Sequence, residues 1–154
     1  MDIKIVGGIK FKNQTLPVYG DLNEPLFKAG DVADLIGYSE GNVWKMLELC
    51  DEDRKFSATM WTGGQRRNVK FVTETGLYDI LAQSRKPLAL VWRHVIIDQL
   101  VAIRKQRGLN IIEQFDEWDH LADNIYFDEE KGCLMRSVTV HGGDVEQVPY
   151  VPGE

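Results

Sequence analysis

Cysteine and histidine are scarce here, with two and three copies in 154 residues, and both types are scattered. Cys50 and Cys133 stand alone without metal-ligand spacing and read as buried or inert thiols of a reducing compartment. His94, His120 and His141 are equally isolated. None belongs to an HExxH pattern, a Cys/His set or a nucleophile–base spacing. No apolar run reaches the roughly eighteen residues a membrane helix needs, and Met1-Asp2-Ile3-Lys4 has no signal-peptide core. The pairs Gly7-Gly8 and Gly63-Gly64 lack the lysine context of a phosphate loop and read as turns. Asp51-Glu52-Asp53 are consecutive, so one regular element cannot converge them on an ion. These absences exclude the common enzyme, metal, cofactor and membrane signatures. The expectation is a cytoplasmic protein that works by binding.

What is present is a charge asymmetry. Residues 1–108 hold 16 Lys/Arg against 13 Asp/Glu, a net of +3, whereas residues 109–154 hold 2 against 11, a net of −9. A chain of this length buries one good core, so we expect a domain over 1–108 and an acidic extension over 109–154. A mildly basic body with an acidic end suits a polyanion-binding module beside a segment that competes with it or docks elsewhere. A merely solubilising surface is the plainer reading.

Apolar alternation predicts strands at Ile3–Val6, Ile9–Lys12, Leu16–Tyr19 and Leu26–Lys28. Gly30-Asp31 opens a short helix to Ile36 that Gly37 stops. Ser39 suits the N-cap of a second helix through Leu49, giving a compact helix-turn-helix-like pair. Phe56–Trp61 and Asn68–Val72 flank Gly63-Gly64 and predict a hairpin with a basic tip. Thr73 or Thr75 caps a helix to about Gln83, and Pro87 starts the next.

That last helix, Leu88–Lys105, is long and apolar. Its main stripe gathers Leu88, Val91, Trp92, Val95, Ile96, Leu100 and Ile103. A second stripe, Leu90, Ile97 and Val101, lies opposite, and two apolar faces on one helix imply that both are covered. Beyond Gly108, Ile112, Phe115, Trp118, Ala122 and Ile125 recur at helical spacing with acids opposite. A hairpin follows, with Leu134–Val140 and Val145–Val151 around His141-Gly-Gly-Asp144. The class is therefore α+β: small antiparallel hairpins, short helices, one long apolar helix, and an acidic C-terminal helix and hairpin. Leu90, Ile97, Val101, Phe115 and Trp118 are the candidate interface, for the C-terminal segment or for a second copy in a homo-oligomer.

Nucleic-acid contact has its own candidates. Arg66 and Arg67 at the hairpin tip, with Lys70 beyond, suit a groove or phosphates, since guanidinium forks match guanine edges and phosphate pairs. Arg54 and Lys55 could hold the DNA backbone, as could Arg85-Lys86 and Arg104/Lys105/Arg107. Asn42 and Lys45 sit on the polar side of the second short helix, where a recognition helix presents base-reading groups. A set of solvated cations balanced by nearby acids is the competing reading. A net of +3 is low for a strong DNA binder, so specific binding would need a dimer.

Two tracts carry a resemblance: Phe27-Lys-Ala-Gly-Asp-Val-Ala-Asp-Leu-Ile-Gly-Tyr38 and Thr73-Glu-Thr-Gly-Leu-Tyr-Asp-Ile-Leu-Ala-Gln-Ser-Arg-Lys-Pro87. With Asp51-Glu52-Asp53 between them and Ala102-Ile103-Arg104 at the close, the chain resembles the N-terminal domain of the BRO family over roughly residues 15–107. It departs from the pattern at Leu90 and Val91, where the family tends to polar residues, and at Val101, where the family has proline. The resemblance implies a phage- or prophage-type regulator, DNA-binding or antirepressor-like. The alternative is a protein-binding inhibitor that sequesters a repressor or host factor, its acidic tail docking or mimicking DNA. A tail that folds over the basic face and autoinhibits it would join the two.

Overall fold

The computed structural model describes residues 3–150, and Val151 at the end of the expected last strand lies outside them. The fold is α+β. In chain order the elements are β1 (Ile5–Phe11), β2 (Gln14–Gly20), β3 (Pro25–Lys28), α1 (Ala29–Ile36), α2 (Val43–Leu47), β4 (Lys55–Thr62) and β5 (Gln65–Thr73). Then come α3 (Glu74–Gln83), α4 (Pro87–Gln106), α5 (Ile111–Ala122), β6 (Ile125–Asp128), β7 (Cys133–Thr139) and β8 (Val145–Pro149). The chain divides into two compact units, residues 1–97 and 98–154, and the division falls inside α4.

In the first unit an antiparallel sheet runs β1-β2-β3-β5-β4. One of its faces supplies Leu16, Val18, Phe27 and Val72, and the helices supply Val32, Ala33, Leu35, Met46, Leu77, Ile80 and Leu81. Phe27, Met46 and Ile80 are essentially without solvent contact. Each such side chain contributes about 1.5–3 kcal/mol by leaving water. α1 is helical because Val32, Leu35 and Ile36 share the inward face, and it ends where Gly37 turns left-handed and donates to the Ala33 carbonyl.

Three expectations are corrected here. Gly7-Gly8 is not a turn: β1 runs through it, pairing Gly7 with Val18 and Gly8 with Pro17 beside a register shift. The turn comes at Lys12-Asn13 instead, with Lys12 at φ 54°. The second short helix is a 3₁₀ turn, Glu40–Asn42, followed by the five residues of α2, and Ser39 makes no side-chain cap. Finally, α4 meets the core on a narrower stripe than the wheel suggests. Ala89 is fully buried, and Leu88, Trp92 and Ile96 pack beside it, with the Trp92 ring edge-on to Phe11 at 4.3 Å. Val91, Val95, Leu100 and Ile103 stand exposed, as do Leu90, Ile97 and Val101. The row that reaches the core is Leu88, Trp92 and Ile96, one turn apart on the same face as Ala89.

The second unit holds the end of α4, α5 and a three-stranded antiparallel sheet, β6-β7-β8. Asn110 and Glu113 form a reciprocal capping box at the start of α5, at 2.9 and 3.0 Å. Arg107 reaches Glu117 at 3.0 Å, and the Arg104 guanidinium donates to the Leu109 carbonyl at 2.7 Å. Met135 is buried, as is Gln114 on α5. The apolar stripe of α5 faces water: Ile112, Phe115 and Trp118 are all exposed.

Candidate nucleic-acid interface

β4 and β5 form the longest ladder in the chain, in register from Lys55 opposite Val72 to Thr62 opposite Gln65. Gly63 and Gly64 join them with φ of 60° and 78°, the two positive values a tight I′-type hairpin turn demands. Residues 55–73 contain Lys55, Arg66, Arg67 and Lys70 and no carboxylate. This is the most one-sided stretch of charge in the body.

Pleating then sorts its side chains. Directly opposed residues share a face, so Trp61/Arg66, Thr59/Asn68 and Ser57/Lys70 project from one side of the ribbon. Met60/Arg67 and Phe56/Phe71 project from the other. Arg66, Asn68, Lys70, Ser57, Thr59 and Trp61 are all exposed. The Arg66 guanidinium sits 5.7 Å from the centre of the Trp61 ring, a cation–π pair that restrains both. The expected triplet of Arg66, Arg67 and Lys70 is therefore split: Arg66 and Lys70 share a face and Arg67 does not. Asn68 and Trp61 complete that face. Reading β5 at period two would have found Asn68.

The root of the ribbon is clamped. The Arg54 guanidinium bonds Asp79 of α3 at 2.7 Å, with both side chains largely shielded from solvent. The Thr73 hydroxyl accepts the Gly76 amide at 3.2 Å and caps α3. Gly76 itself lies so close that a Cβ would stand 2.5 Å from the Arg54 carbonyl oxygen and 2.9 Å from the Cys50 sulfur. Burial pushes the Cys50 thiol up to about 11, and the Asp79 charge adds to the shift. Lys55 donates to the Leu47 carbonyl at 2.8 Å and pairs with Glu52 at 3.1 Å. Arg54 and Lys55, expected at the DNA backbone, are thus committed to holding the hairpin on the helices.

Two clefts adjoin the root of the ribbon, and Lys70 lines both. One, of about 400 Å³, lies against α2 and is lined by Trp44, Leu47, Glu48, Phe56, Ser57 and Lys70. The other, of about 410 Å³, lies against α1 and brings Asn68 and Lys70 beside Asp31, Asp34 and Glu40. Burial holds the Asp31 carboxyl above its ordinary range. α2 is a poor recognition helix. Asn42 lies in the 3₁₀ turn and donates to Ser39 at 2.7 Å, while Lys45 stands 5.5 Å over the Trp44 ring with Glu48 close by in sequence.

Residues 16–102 match the BRO family, N-terminal domain. The chain belongs to the BRO family. The match covers more than half of the sequence and runs from within β2 to within α4, including the whole β4–β5 ribbon. BRO N-terminal domains occur in phage antirepressor-like regulatory proteins and are associated with DNA binding. No curated protein and no solved structure matches the chain. Among the described residues no group of three or more potential metal ligands converges, and no helix is long and apolar enough to cross a membrane.

Proposed function

We propose that this BRO-family protein is a DNA-binding transcriptional regulator of phage or prophage type, acting by binding rather than catalysis in a bacterial or viral-host cytoplasm. The acid-free β4–β5 ribbon carries the reading, because a two-stranded ribbon fits the roughly 12 Å major groove and its cations face a polyanion. A body of low net charge binds one duplex weakly, so a homodimer would add two modules. Exposed apolar stripes on α4 (Leu90, Ile97, Val101) and on α5 (Phe115, Trp118) are surfaces such a partner copy could cover.

A second reading, a protein-binding inhibitor of a repressor or host factor, draws on the second unit. There Ile111, Phe115 and Trp118 are exposed on a helix that also carries Glu113, Asp116 and Asp119. A mobility shift of the full chain on a mixed duplex pool at two salt concentrations separates the two. The regulator gives a salt-sensitive shift, since each neutralised phosphate releases counterions, and Arg66→Ala/Lys70→Ala weakens it about tenfold or more. No shift at low salt would leave the inhibitor reading standing.

A further inference from the structure

We infer that the ribbon reads sequence with one face alone, Arg66 on a guanine and Asn68 on an adenine two base pairs away, while Arg67 takes no part in base recognition. The inference rests on the DNA-binding reading above and divides the ribbon more finely. Register sets Arg66 and Asn68 at alternate positions of β5, both exposed, on the face opposite Arg67. A strand rises about 3.4 Å per residue, so the two side chains leave it about 7 Å apart. One DNA strand rises about 3.4 Å per nucleotide, so a ribbon lying along the groove presents these groups to bases two steps apart.

The chemistry of each group matches one edge. A guanidinium fork donates twice to guanine O6 and N7, and a carboxamide both accepts from N6 and donates to N7 of adenine. Trp61 stands directly opposite Arg66 with its ring 5.7 Å from the guanidinium, which narrows the range of directions that fork explores. Lys70, two residues further toward the root, is a point charge with no planar fork, and a phosphate suits it better than a base.

The test is selection of bound duplexes from a randomised pool by the full chain, repeated with Arg66→Lys, Asn68→Ala and Arg67→Ala. Circular dichroism checks that each variant is folded. We expect the wild type to enrich a motif with a guanine and an adenine separated by one base pair. Arg66→Lys keeps the charge but loses the fork, so preference at the guanine should relax by about tenfold while salt-dependent affinity persists. Asn68→Ala should relax only the adenine, and Arg67→Ala should leave the motif intact and affinity within about twofold. Duplex binding with no enriched motif, or with Arg67→Ala relaxing it as much as Arg66→Lys, would overturn this inference and leave the DNA-binding reading in place. Absence of any duplex binding by the wild type would overturn both.

Discussion

α1 and α5 are both short helices with an apolar stripe, yet α1 buries Val32, Leu35 and Ile36 in the core of its unit while α5 turns Ile112, Phe115 and Trp118 to solvent. Local pattern is the same in kind. The difference is that α1 leads directly out of β3 and lies on the sheet face that supplies Phe27 and Val72, whereas the buried side of α5 is marked by Gln114. Amphipathicity states that a face gains by being covered, and says nothing about what covers it. On α5 the Phe115 and Trp118 rings pack edge-to-face on each other at 5.2 Å and leave the rest of their surface open.

Substitution can sharpen that contrast. The largest effect should come from Phe27→Ala, which empties a site with 1% exposure. It should cost about 3–5 kcal/mol in denaturant unfolding. A cost under about 1 kcal/mol would mean that the first unit's core is not where the structure puts it.

An intermediate effect belongs to pH. The Cys50 thiol is pushed up to about 11, above its value in an unfolded chain, so folding favours the neutral form. That contribution is fully present below about pH 9 and is lost as the pH rises toward 11. The unfolding midpoint of the wild type should therefore fall more steeply over that window than that of Cys50→Ala. Parallel curves would contradict the burial of this thiol.

The smallest effect on folding should come from Phe115→Ala. With the ring 58% exposed, truncation should cost the isolated chain about 0.5 kcal/mol or less. If a second copy covers this face, the cost instead grows with protein concentration, and sedimentation should show the variant dissociating at lower dilution than the wild type.

Much of the first unit was legible because its signals are local and redundant. Gly63-Gly64 forms the turn expected of it, Thr73 caps α3 through its hydroxyl, Pro87 opens α4 and Gly37 closes α1. Gly7-Gly8 has the same composition as the hairpin pair and the opposite outcome, since both glycines pair with β2, beside a register shift after Ile5. A glycine pair permits a turn without requiring one. The division of Arg66 from Arg67 was written in the pleat all along, but only the register shows which strand positions face together. The fate of Arg54 and Lys55 was not legible, because their partners Asp79 and Leu47 lie on other elements.

The close approach at Gly76 has a mechanical consequence. With no side chain there, the turn before β4 is seated against the first turn of α3, while Arg54 is tied to Asp79 a turn further on. The hairpin is accordingly a cantilever held at its root, by the close packing at Gly76 and by the Arg54–Asp79 pair. The angle between the ribbon's root and α3 is therefore set by that packing and that ion pair, not by the ribbon's own residues.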